Sequence, residues 1–436
     1  MTYRKDYADG ILTEYRQSYD EGLDIQKYEA LFRETGKLES SDPYKSMLSA
    51  SLFEIIANAP LREDYSFREP SSLEEIRSLC VPYTLKTSKE YDSETHREKI
   101  SGAWYGRICG CLLGKPAEGT RFADLQKFLK DSGNYPMYRY IKRADIHYKS
   151  TIRTSCLADE REFAPWDDDT NYVVLAQVLI EKYGRNFTPK DVLDIWLEKQ
   201  PLSSYFTAEK IALLNYVNGL QPPVSAFFQN PYREWIGAQI RGDYFGYINP
   251  GNPEKASELA FKDASISHVK NGIYGEMFVA SMLAVAAVTD NMEEIICAGL
   301  AQIPATSRLY AAVHQLLSEY QNGVSREEVF CGIHTVWNDY DGYDWCHTIS
   351  NALIVSASLL YGEKNFGKSI CMAVENGFDT DCNGATVGSV LGMVLGEKGI
   401  ADEWKEPIHG ILETTVQGIG KRPIADFVDR TMKHIQ

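Results

Sequence analysis

Two runs of glycine at four-residue spacing constrain this chain more than any other feature: Gly102, Gly106, Gly110 and Gly114, then Gly384, Gly388, Gly392 and Gly396. Positions i and i+4 share a helix face, so each run reads as a helix carrying one glycine-lined stripe. An interior glycine costs a helix about 1 kcal/mol relative to alanine. Four in register therefore need a reason, and close approach of another backbone is the usual one. The natural partner of each stripe is the other. Such pairing brings Lys115-Pro116-Ala117-Glu118-Gly119, which follows the first helix, near one end of the second.

The second helix opens on Asn376-Gly377-Phe378-Asp379-Thr380-Asp381-Cys382-Asn383, where Asp381 is well placed as an N-cap. A second acidic cluster, Trp166-Asp167-Asp168-Asp169-Thr170, leads into an apolar helix from Tyr172 that ends at Gly184. Adjacent carboxylates raise one another's pKa unless a cation holds them ionised. A hard divalent ion with oxygen ligands, Mg²⁺ or a relative, is the candidate. One isolated D-x-D is most often a bare acidic cap; two acidic helix starts favour a metal. Glu118, if carried to the same end, is a candidate for metal binding or proton transfer, against the plainer role of a surface-loop acid.

The chain has 436 residues, 44% apolar and 24% charged, with a formal net charge of −16. This is a soluble globular composition, and the charge argues against nucleic acid or an anionic membrane as partner. A phosphate-bearing ligand stays open, because metal ions reverse the local sign. Nine cysteines show no C-x-x-C spacing, the start lacks a signal-peptide core, and no run of 18 uncharged apolar residues occurs, so reduced thiols in a cytoplasmic protein are expected. Residues 1–92 read as a helical accessory region with a capping box at Ser72–Glu75 and a helix near Tyr44–Ala57. Residues 93–436 form the main domain. A long irregular connection is expected over 120–165. Helices fit Thr188–Lys199, Ala208–Val217, Asn252–Ala264, Val279–Val288, Asp290–Gln302, Ser307–Gln321, Arg326–Asn338 and Ile349–Tyr361. Convincing period-two alternation is absent, so the fold reads as all-α.

In this order, Gly102 to Glu118, Asp167-Asp168-Asp169-Thr170, Ser267-His268 with Gly272-Ile273-Tyr274-Gly275, and Gly377-Phe378-Asp379-Thr380-Asp381 resemble the ADP-ribosylglycohydrolases. The resemblance runs over roughly residues 96–420. It implies an orthogonally packed helical bundle with two Mg²⁺ ions, or Mn²⁺, that cleaves ADP-ribose from an acceptor such as arginine or serine. By position, Asp168 and Asp169 are metal ligands, with Asp167 where the family carries threonine. Asp379 and Asp381 are ligands too, and Cys382 stands where a threonine ligand is usual. A thiol is a poor ligand for Mg²⁺, which points toward Mn²⁺ or one weak ion. Asp379 or Asp169 would orient the attacking water and Glu118 would donate the proton, while Lys115 replaces an aspartate and is expected to be dispensable for the metal. His268, Gly272, Tyr274 and Gly275 resemble the loop that contacts diphosphate and ribose. Trp166, Tyr274 and Trp345 are candidates to stack on adenine, with His347 nearby. The implied partner is an ADP-ribosylated protein or small molecule. The alternatives are an N-ribosyl hydrolase acting on a free nucleoside or nucleotide, and a non-catalytic ADP-ribose-binding relative.

Overall fold

The computed structural model describes residues 5–86, 93–147 and 150–435. Its centre is the pair of glycine helices, Ser93–Gly114 and Thr380–Leu395. They run antiparallel: Gly102 faces the Gly392 carbonyl, Gly106 that of Gly388, Gly110 that of Gly384, and Gly114 that of Thr380. A Cβ at any of these positions would overlap the facing backbone. The expected pairing holds, and the stripes serve contact rather than flexibility. At the far end the Thr380 hydroxyl donates to the Gly114 carbonyl at 2.9 Å, which places the turn from Lys115 to Glu118 beside the start of the second helix.

The expectation of an all-α chain is met: the described residues form 23 α-helices, with a single antiparallel pair of two-residue strands, Ile411–Leu412 and Arg422–Pro423. Helix Asn271–Ala286 is buried along its whole length and packs against the second glycine helix and against helix Pro253–Ala264. On the other side, Trp104 stacks on Phe427 and donates its indole N–H to Thr431 at 3.1 Å. Local signals start the helices as expected. Thr188 and Ser325 form capping boxes, Asn252 caps with its side chain, and the Ser72 hydroxyl bonds Glu75.

Three features depart from expectation. The stretch expected to be irregular over 120–165 contains helix Phe122–Asp131, whose buried Leu125 and Leu129, one turn apart, form a narrow apolar stripe amid charge. Helices Phe366–Glu375 and Ile424–His434 also occupy stretches where none is expected. And the residue at the N-cap of the second glycine helix is Asp379, not Asp381, which lies in its first turn; the Asp379 side chain makes no capping bond.

The N-terminal segment has a small core of its own, built on Tyr7, Ile11, Phe32, Leu52 and Ile56. Buried polar contacts hold it to the main body. Arg233 meets Glu14 at 2.8 Å and Glu21 at 2.6 Å, Arg308 meets Glu69 at 2.8 Å, and Gln17 donates to Glu234 at 2.7 Å. The expected boundary at residue 92 lies outside the described residues. Among the described residues no helix is long and apolar enough to cross a membrane.

Candidate metal centre

The two acidic clusters, more than 200 positions apart in the chain, meet at the end of the glycine seam. Asp167 is the N-cap of helix Asp168–Tyr183, and its Oδ1 accepts from the Asp169 N–H at 3.0 Å. That turn directs Asp169 inward, fully buried. Potential ligand atoms then converge in two groups, Cys111 with Asp167 and Asp169, and Asp169 with Asp381 and Cys382; within each they lie inside 4.8 Å of one another. Asp169 belongs to both. Asp168 is half-buried beside them. Asp379 is buried at the N-cap, takes the Cys346 thiol on Oδ2 at 3.6 Å, and gives its own N–H to Asn351 at 3.1 Å.

Sequence reasoning misses the cations and one thiol of this site. Arg107 is completely buried; its Nη2 donates to Asp169 Oδ1 at 3.0 Å, and its Nη1 lies 3.0 Å from Asp243 Oδ2. The Lys115 ammonium bonds Asp167 Oδ2, so the residue expected to be dispensable for the metal pairs with one of the candidate ligands. Arg153 pairs with Glu118, whose side chain is 24% exposed. The missed signal is a second stripe beside the glycines: Arg107, Cys111 and Lys115 recur every four residues and so share one face.

The electrostatics follow from burial. Burial pushes the carboxyls of Asp168, Asp169 and Asp379 well above the ordinary range, neighbouring carboxylates push the same way, and at Asp169 the Arg107 guanidinium opposes. Asp381 is raised too, by burial and then by Asp167. Asp167 alone shifts downward, because the Lys115 ammonium outweighs its burial. Glu118 is pushed up to about 9 by burial and by the charges of Asp381 and Asp167, with Arg153 opposing. Asp169 Oδ2 and Asp381 Oδ1 are buried without a hydrogen-bond donor. Orphaned acid oxygens beside thiols fit a divalent cation, which would satisfy them where no donor does.

The rim carries aromatic rings. Trp166 is 42% exposed with the Lys115 ammonium 5.7 Å from its ring centroid. Trp345 donates its indole N–H to the Phe378 carbonyl at 2.6 Å, one residue before Asp379, and the Arg121 guanidinium lies 5.0 Å from its ring.

The loop assigned to diphosphate and ribose lies elsewhere in its contacts. His268 and Tyr274 are fully buried; His268 bonds the Ser267 hydroxyl at 2.8 Å and Tyr274 donates its hydroxyl to the Pro70 carbonyl. Gly272 is pressed against the Arg233 carbonyl and Gly275 against Thr348 and Gln239. The N-terminal segment covers this helix start and takes the Tyr274 hydroxyl, while His268 Nε2 is buried without a hydrogen-bond partner. His347 is likewise interior: its Nδ1 accepts from the Ile349 N–H at 3.1 Å and its Nε2 lies 3.7 Å from Glu234.

A comparison with curated proteins finds no match. Among solved structures that match, one described as an "ADP-ribosylglycohydrolase-related protein complex" has a TM-score of 0.48 at 17% identity, covering 78% of this chain and 98% of that one. The family model for ADP-ribosylglycohydrolase matches residues 92–435, which takes in both glycine helices and every acid of the centre. With that span matched and an all-α fold that gathers those acids, the chain belongs to the ADP-ribosylglycohydrolase family, whose members are hydrolases of glycosidic bonds.

Proposed function

We propose that this chain is a divalent-metal-dependent hydrolase that releases ADP-ribose from an ADP-ribosylated protein or small molecule, with Mg²⁺ or Mn²⁺ as the ion. The observation that carries the reading is the meeting of two buried acid groups at Asp169, with acid oxygens on Asp169 and Asp381 that lack a donor. The ligands would come from Asp167, Asp168, Asp169, Asp379, Asp381 and Cys382, joined by Cys111. When bound there, a divalent ion supplies Lewis acidity and fixed positive charge. Two groups sharing one acid are a layout that a pair of ions would use; the number held depends on Lys115, whose ammonium bonds Asp167 in the first group.

Glycoside hydrolysis develops positive charge at the anomeric carbon and negative charge on the leaving group. Glu118, partly exposed beside Asp381 and Asp167, is positioned to give the leaving group its proton, and Arg153 holds the carboxyl in place. Asp379, oriented through its own N–H by Asn351, would align the attacking water. Trp166 and Trp345 offer faces for the adenine at the mouth of the site. Residues 1–92 act as an accessory region, and its residues Glu69 to Ser71 contact the start of the helix beginning at Asn271. Nine free thiols among the described residues support a reducing, cytoplasmic setting.

The test is a panel of ADP-ribosylated substrates, arginine- and serine-linked, assayed with Mg²⁺, Mn²⁺ or EDTA. ADP-ribose release that EDTA abolishes is expected. Glu118→Gln should keep ligand binding and slow turnover by roughly 10²–10⁴-fold, the range for loss of general acid catalysis. Asp379→Ala should abolish turnover. Tight ADP-ribose binding with no release from any substrate would overturn the reading in favour of a non-catalytic binder.

A further inference from the structure

We infer that this chain holds one divalent ion rather than two, at Asp169, Asp381 and Cys382, with the Lys115 ammonium as the fixed positive charge of the neighbouring Cys111–Asp167–Asp169 group. The inference rests on the metal-dependent reading and deepens it. The oxygens of the two groups are used differently. Both oxygens of Asp167 have internal donors, Oδ1 the Asp169 N–H at 3.0 Å and Oδ2 the Lys115 ammonium. Asp169 gives Oδ1 to Arg107 at 3.0 Å and keeps Oδ2 without a donor. Asp381 keeps Oδ1 without a donor. Asp169 and Asp381 are 0% and 3% exposed, so water does not satisfy those oxygens. A buried acid oxygen with neither donor nor water is costly, and the two carboxyls that carry one each bring an oxygen within 4.8 Å of the other's and of the Cys382 sulfur.

The other group already has its cation. Lys115 follows Cys111 by four residues on the face that carries Arg107, so its ammonium is tethered against Asp167 by the helix end itself. A divalent ion among Cys111, Asp167 and Asp169 would have to sit against that ammonium, and like charges a few ångströms apart in a buried site repel strongly. The ligand set at the remaining position includes a sulfur. It favours borderline ions such as Co²⁺ or Zn²⁺ over Mg²⁺.

Equilibrium dialysis of the full chain against Mn²⁺ or Co²⁺, followed by metal analysis, tests this without any turnover assay. One equivalent per chain is expected for the wild type and two for Lys115→Asp, with Lys115→Met as the second variant should the aspartate not fold. The Co²⁺ form should show a thiolate-to-cobalt absorption band that Cys382→Ser removes and Cys111→Ser leaves. Two equivalents in the wild type, one equivalent in both proteins, or a band carried by Cys111 instead of Cys382 would each overturn the inference. No bound ion in either protein would instead bring down the metal-dependent reading on which it stands.

Discussion

Replacing Gly106 with alanine tests whether the glycine seam is the organising contact of the fold. In a helix interior the change should help, because alanine is favoured over glycine by about 1 kcal/mol. At Gly106 the added methyl would overlap the Gly388 carbonyl, lying 2.7 Å from that residue's carbonyl carbon and 3.3 Å from the Gly392 Cα. Those atoms are backbone on a helix packed along its whole length, so they cannot rotate away. Overpacking of a well-packed core costs typically 1–3 kcal/mol, and a backbone-on-backbone clash belongs at the top of that range. Subtracting the propensity gain leaves a net destabilisation of about 2 kcal/mol. Gly332, exposed within helix Arg326–Val336 with nothing within 4 Å of a built Cβ, is the control. There the same substitution should stabilise by up to about 1 kcal/mol. Denaturant unfolding of both variants, compared by midpoint at unchanged slope, reads the difference. A Gly106→Ala protein as stable as the wild type would refute the packing argument, since nothing else in the seam could absorb the methyl.

The hold of the N-terminal segment should weaken in acid. Burial raises the Glu234 and Glu21 carboxyls, but Arg308, His347 and Lys270 together around the first, and Arg233 and Lys270 around the second, outweigh it and leave both below their ordinary 4.5. A depressed folded pKa contributes stability that is present above the ordinary value and lost as pH falls through the folded one. The unfolding midpoint should therefore fall below about pH 4.5, and more shallowly in a Glu21→Gln/Glu234→Gln double variant; equal pH slopes would remove these carboxyls from the account. At the mouth of the site, Trp345→Ala should weaken ADP-ribose binding by about 1–3 kcal/mol, the usual worth of a base–aromatic stack, read by calorimetry. Unchanged affinity would move the adenine elsewhere, with Trp166 the next ring to test.

What the chain declares in one dimension is whatever its physics keeps local. Glycine every four residues reports a helix face, and four such glycines report a backbone pressed against it, so the central helix pair was readable before any coordinate. Capping boxes at Thr188 and Ser325, and the Ser72 cap bonded to Glu75, span only three residues, and the all-α class follows from the dominance of such signals. The acids Asp167, Asp168, Asp169, Asp379 and Asp381 marked a candidate cation site because like charges so close raise one another's pKa unless a cation holds them ionised. Their partners did not announce themselves. Lys115 finds Asp167 52 positions away and Arg107 finds Asp169 62 positions away, and nothing local to either lysine or arginine encodes those distances. Likewise, nothing near Tyr274 in the chain shows that Pro70, 204 residues earlier, takes its hydroxyl. Periodicity and capping cost or gain free energy within one helical turn, so the sequence determined most of the helices, the seam and the acids. Charge pairing and burial depend on which surfaces meet, and so only the tertiary structure decided which cations answer those acids and which polar groups remain open to a ligand.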